Sequence, residues 1–166
     1  MLRIESAQPQ DVDELKEILT ACGLPLEGVI DRGDTRDASD TIATRGPLDR
    51  FVVALADAGD RRALIGCAGL EVHGTACILR SLAVRPEMRG RGVARLLIEE
   101  ILRRARDAGC SQAFLLTTSI EAMAARHGFT RIDRAEVPAE LLATSEFALN
   151  ACSTATVMQR VLRSHP

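Results

Sequence analysis

Along the chain the spacing of apolar positions changes period several times, and each change marks an element. Residues 2–6 alternate as in a short strand. Pro9 stands where a first helical residue tolerates it, and Asp11, Asp13 and Glu14 follow in the early turns. Val12, Leu15, Ile18, Leu19 and Cys22 give this helix one apolar face, and Gly23 and Pro25 end it. Between Leu24 and Arg50 the pattern fades, because Gly28, Gly33, Gly46 and Pro47 interrupt a polar stretch with five Asp residues. That stretch reads as an exposed connector of the kind that often holds substrate loops, with a short helix around Ser39 to Thr44.

Residues 51–56 are an apolar run of the buried-strand type; the turn Ala58-Gly59-Asp60 leads into a second run at 64–72, and Gly74 turns the chain into a third at 76–84. Three successive strands of a meander are expected. Pro86, which cannot donate to a ladder, ends the third. From about Arg91, Val93, Leu96, Leu97, Ile101, Ala105 and Ala108 recur at helical spacing, with Glu99 and Arg103, and Glu100 and Arg104, as outward i,i+4 pairs and Gly109 as the stop. Residues 113–118 read as a further buried strand, and Ser119 is placed to cap a short helix reaching His127. Residues 129–133 follow as an edge strand, 138–142 as a short helix and 155–162 as the last strand. The order β-α-β-β-β-α-β-α-β-β predicts an α/β domain with a mixed, mostly antiparallel central sheet flanked by helices, and 166 residues suit one domain spanning 1–166.

Composition removes several function classes. With no Trp, no Tyr and a formal net charge of −2, the chain lacks the stacking platforms and the basic footprint of a nucleic-acid binder. Its five cysteines have no Cys-x-x-Cys spacing and no Cys/His cluster, so neither a disulfide scaffold nor a metal site is expected. No apolar run approaches the roughly 18 residues needed to span a bilayer, and the start lacks an apolar leader. The expectation is a reduced, cytoplasmic protein with no membrane or nucleic-acid partner.

The chemistry concentrates where the central strand runs into Arg89-Gly90-Arg91-Gly92-Val93-Ala94. Two glycines remove Cβ atoms at the start of a helix whose first amides have no internal partner and carry the positive dipole end, a ready site for a phosphate or diphosphate. Arg89 and Arg91 strengthen the field, and Arg85 and Arg95 flank it, placed to guide a highly charged ligand. The same residues also suit a flexible surface turn with solvated arginines. Neither a P-loop nor a dinucleotide-binding glycine fingerprint is met.

Arg89-Gly90-Arg91-Gly92-Val93-Ala94 resembles the Arg-x-x-Gly-x-[Gly/Ala] signature of the GNAT N-acetyltransferases, and Leu82-Ala83-Val84 before Pro86 resembles the strand that precedes it there. His127-Gly128-Phe129 matches the family's Gly-Phe helix and strand, so the resemblance covers most of the chain. It implies a GNAT fold, acetyl-CoA as cofactor, backbone amides of Arg89 to Ala94 on its diphosphate, and Leu82, Ala83 and Val84 along its pantetheine arm. A backbone N–H of Leu82 or Val84 would then meet the thioester carbonyl. Many members protonate the leaving thiolate with a Tyr at the position held here by Ala124, so water, Ser119 or another group must serve, or the thiolate leaves unassisted.

Acyl transfer to an amine also needs a base, and Glu71 is the first candidate, since burial in an apolar strand would raise its pKa; an ordinary solvated strand residue is the alternative. His73, two positions on and on the same face, reads as a surface histidine. Arg80, charged within an apolar strand, suits either a substrate anion or an ion pair with Glu71. Residues 116–118, 127–129, 137–140 and 143–145 are similar to GNAT proteins found with arsenic-resistance genes and to the acetyltransferase domain of N-acetylglutamate synthase. Those relatives imply glutamate or an analogue such as arsinothricin or phosphinothricin as acceptor, with Thr117, Thr118, Ser145 and Thr154 as candidate liners. A CoA-binding regulatory module without turnover and a protein or peptide N-acetyltransferase remain alternatives. Dimers are frequent in the family, so a homodimer is among the expectations, and the sequence leaves the oligomeric state open.

Overall fold

The computed structural model describes residues 1–26, 47–149 and 154–163. The apolar runs of β2 (Phe51–Ala58) and β3 (Arg61–His73), joined through the left-handed Gly59, form a hairpin whose β3 continues through a second turn into β4 (Ala76–Val84). This is the expected meander. β1 (Leu2–Ser6) adds to the outer side of β2, and α1 (Val12–Ala21) crosses over one face. Past β4 come α2 (Val93–Asp107), β5 (Gln112–Thr117), α3 (Glu121–Arg126), β6 (Thr130–Ile132), α4 (Ala139–Leu142), α5 (Ser145–Leu149) and β7 (Thr156–Val161). The sheet order is β1-β2-β3-β4-β5-β7-β6, with β4 and β5 parallel and every other pairing described antiparallel.

Each face of the sheet carries its own apolar layer. Val93, Leu97, Ile98, Ile101 and Leu102 of α2 are buried against Leu70, Val72, Cys77 and Leu79. Burying each such side chain contributes roughly 1.5–3 kcal/mol, so α2 is firmly seated on the strands it connects. On the opposite face Leu15, Ile18 and Leu19 of α1 pack on Phe51, Val53 and Leu55, while Leu141 and Phe147 of α4 and α5 pack on Ile78 and Phe114. Strand parity puts Glu71, His73 and Arg80 on this second face.

Three local expectations need correction. The helix after the glycine turn starts at Val93, two residues past Arg91, because Gly90 and Gly92 are both left-handed (φ 74° and 81°). Ser119 does not cap α3; Thr117 Oγ1 accepts the N–H groups of Ser119 and Ile120 instead and shapes that turn. Glu99 pairs backward with Arg95, and Arg103 bonds Glu100 and Asp107, while the Glu100–Arg104 pair forms as expected. Helix α5 was not foreseen, and the short helix expected around Ser39 to Thr44 lies outside the described residues.

Candidate active site

β4 and β5 run side by side only from Ala76 opposite Gln112 to Ile78 opposite Phe114. Both strands continue, β4 to Val84 and β5 to Thr117, without pairing to each other, so a gap opens between their ends. On its other side β4 carries a bulge. Between the pairs Cys67–Ala83 and Gly69–Arg80, β3 supplies one residue where β4 supplies two, and Ser81 and Leu82 have no partner opposite. Ser81 is left-handed (φ 54°), a conformation that costs a non-glycine residue about 1–2 kcal/mol. The Cys67 thiol donates to the Ser81 carbonyl at 3.4 Å. Burial, with Cys22 nearby, pushes this thiol up to about 12, so it stays protonated and keeps that bond. Leu82 is therefore held in a strand yet paired with neither neighbour.

From this gap a cleft of about 760 Å³ runs to the start of α2, lined by Leu82, Ala83 and Val84 on β4, Arg89, Gly90, Gly92, Val93 and Ala94 at the turn, and Ser119, Ile120 and Met123 across from them. Gly92, the residue before α2, has no side chain to cap the helix, and the first hydrogen bond returning to it comes from Leu96. The amides of Val93, Ala94 and Arg95 are thus left without intrahelical acceptors. A Cβ at Gly90 or Gly92 would meet nothing within 4 Å, so the protein leaves the space around both open. Uncapped amides, open space and a neighbouring guanidinium suit an anionic diphosphate. Arg89 points its Nε at the Val84 carbonyl (3.1 Å), which fastens the turn to the end of β4.

Arg91 is exposed and does not line the cleft. Arg85 does not face it either: its Nε donates to the Leu64 carbonyl at 2.6 Å and its guanidinium sits 3.3 Å from Glu17 and 3.9 Å from Glu14, tying α1 to the sheet. Residues that the sequence reading missed also line the cleft, among them Cys22, Met88, Met123, Arg126 and His127. The signal for Met123, Arg126 and His127 is their place in or directly after α3, the helix before the Gly-Phe pair; Cys22 and Met88 have none.

On the other face, Glu71 and Arg80 form a buried ion pair at 2.5 Å, and Glu146 of α5 lies 3.8 Å from the same guanidinium. Gly69 makes room for it, since a Cβ there would come within 3.1 Å of Arg80 Cγ. His73 is buried rather than at the surface, and its Nε2 is 3.5 Å from Glu71. Burial alone would raise the Glu71 carboxyl, but His73, Arg80 and the charge of Arg50 outweigh it and hold the group at about 2. The expected upward shift is therefore reversed in this state. Thr117 is buried, Thr118, Ser119 and Thr154 are exposed, and the Ser145 side chain lies outside the described ones. Among the described residues no cluster of three His, Cys, Asp or Glu is placed to hold a metal, and no helix is long and apolar enough to cross a membrane.

Residues 12–133 match the model of the acetyltransferase (GNAT) family. The chain belongs to that family, whose acetyl donor is acetyl-CoA. Over 79 residues it is 37% identical to the amino-acid acetyltransferase of Mycobacterium tuberculosis, a stretch that spans 47% of this chain and 45% of that protein. Its fold is similar to N-acetylglutamate synthase of Neisseria gonorrhoeae, solved with coenzyme A and N-acetyl-glutamate, at a TM-score of 0.72 and 21% identity over 98% of this chain and 35% of that one. A Mycobacterium tuberculosis protein solved with CoA and NLQ superposes at a TM-score of 0.70 and 22% identity, covering 97% of this chain and 99% of the other.

Proposed function

We propose that the chain transfers acetyl from acetyl-CoA directly to the amino group of a small acidic amino acid, glutamate or a glutamate analogue. The observation that carries the reading is the continuous cleft joining the uncapped start of α2 to the gap between β4 and β5. The amides of Gly90, Arg91, Gly92, Val93 and Ala94, with Arg89, would hold the diphosphate, and the stretch Leu82, Ala83 and Val84, which β5 does not pair, would hold the pantetheine arm. Acetyl-CoA supplies, when bound, the activated acyl group that an amine attacks. A backbone N–H of Leu82 or Val84 is placed to polarise the acyl carbonyl, which needs no side chain.

Arg80 is the residue assigned to the acceptor's carboxylate, because a guanidinium binds that group bidentately and this one lies beyond the last β4–β5 pair. Thr117 supports the site by holding the turn that presents Ser119, and exposed Thr118 adjoins it. While Glu71 is paired its carboxyl takes up a proton poorly. An acceptor carboxylate that draws the guanidinium away leaves Glu71 buried with less compensation, and its proton affinity rises toward that of a base for the incoming ammonium. Ser119 Oγ, exposed in the cleft, is the hydroxyl assigned to protonate the departing sulfur, taking up in exchange the proton that the newly acylated nitrogen sheds, since the fully buried Ala124 offers none.

Support for the acceptor class comes from the amino-acid acetyltransferase relative. Thiol release from acetyl-CoA, measured with glutamate and its analogues against aminoglycosides, polyamines and peptides, tests it. Saturable release with the glutamate class is expected. Tight CoA binding without release on any amine would replace this reading with a regulatory binding module, and turnover confined to peptides would replace the acceptor.

A further inference from the structure

The cleft has a second end, away from the β4–β5 gap, where α3 faces the first turns of α2. Arg95, Arg126 and His127 line it. Their charges are differently committed. Arg95 lies 3.3 Å from Glu99 on its own helix. The half-buried His127 imidazole loses proton affinity through burial; Glu99 offsets this in part, while Arg160 and Arg95 add to it. Arg126 is exposed and, among the described residues, its guanidinium makes no hydrogen bond and no ion pair.

The backbone beneath Arg126 is nevertheless fixed. Arg160 Nη1 on β7 donates to the His127 carbonyl at 2.5 Å, the His127 and Phe129 N–H groups return to Ala124 O, and Gly128 closes the helix in a left-handed turn (φ 80°). A pinned helix end therefore presents an uncommitted guanidinium to a cleft whose near end already supplies amides for one anionic group.

Coenzyme A carries two separate anionic groups, a diphosphate and a phosphomonoester on the ribose. With the diphosphate at Gly90 to Ala94 and the pantetheine arm directed into the β4–β5 gap, the adenosine half must leave toward the α2–α3 end. We infer that Arg126, with Arg95 beside it, binds the ribose phosphomonoester and makes the protein prefer CoA over dephospho-CoA. The inference rests on the cofactor placement proposed above and adds a specificity residue to it.

Calorimetric titration of the full chain with CoA and with dephospho-CoA, for wild type, Arg126→Gln and Arg126→Lys, tests it. A charge-assisted contact at a wet cleft end corresponds to about tenfold in affinity. Wild type is expected to prefer CoA by about that factor. Arg126→Gln should weaken CoA to the level of dephospho-CoA while leaving dephospho-CoA binding unchanged, and Arg126→Lys should keep part of the preference. The phosphomonoester ³¹P resonance of CoA should shift on binding wild type and stay near its free position with Arg126→Gln. CoA binding without a preference over dephospho-CoA, or equal weakening of both ligands by Arg126→Gln, overturns the inference and leaves the cofactor placement standing. Binding of neither ligand to wild type overturns both.

Discussion

Glu71 is the residue whose surroundings matter most to the proposed chemistry. Its carboxyl falls from an ordinary value of 4.5 to about 2 in the folded chain, so the group is depressed on folding and stabilises the protein at pH above about 4.5. That contribution drains away as pH falls from there toward 2. Glu71→Gln should lower stability at pH 7 by about 3 kcal/mol, because it leaves the buried Arg80 without its closest carboxylate, and should flatten the acid limb of the stability profile. Urea unfolding at pH 7 and pH 3 checks both; an unchanged profile in the variant would remove Glu71 from the account. Arg80→Gln should raise KM for glutamate about a hundredfold while the calorimetric Kd for CoA stays within about twofold of wild type. Equal losses in both would mean that Arg80 shapes the site without touching the acceptor. The Glu71–Arg80 pair was one of two readings of Arg80 open in the sequence, a substrate anion being the other, because a charge inside an apolar strand must find a partner. The burial of His73 was not legible: parity says which residues share a face, and α5, whose Phe147 packs on that face, carries no periodic signal in five residues.

At the scale of elements, α2 is seated by an absence. A Cβ on Gly66 of β3 would meet the Ala83 carbonyl at 3.0 Å, Leu97 Cδ1 at 3.1 Å and Val93 Cγ1 at 3.2 Å, so only glycine lets the first turn of the helix lie this close to the strands. Gly66→Ala should cost about 1–3 kcal/mol by overpacking and weaken CoA several-fold as the uncapped amides move away from β4. Thermal unfolding together with calorimetry checks this; lost stability with undisturbed CoA affinity would show that helix position and cofactor grip are uncoupled. The glycine-rich turn and the long amphipathic helix were readable because both signals are local. The β4 bulge at Ser81 and Leu82 was not, since it depends on the count of residues in the partner strand rather than on any residue within β4.

Across the whole molecule, the sequence order foretold the meander and the α/β class, while the placement of β7 between β5 and β6 joins segments far apart in the chain and leaves no local trace. The length over which β4 and β5 stay paired is likewise a property of the assembled sheet, and it decides where the gap opens. The central claim is that this gap and the unsatisfied amides at the start of α2 form one site for acetyl-CoA. Backbone amide NMR of the ¹⁵N-labelled chain titrated with CoA tests it most directly. The account predicts that the largest shifts fall on Leu82, Val84 and residues 90–95, with smaller ones on Ser119 and Ile120. Shifts confined to other strands, or none at saturating CoA, would contradict it.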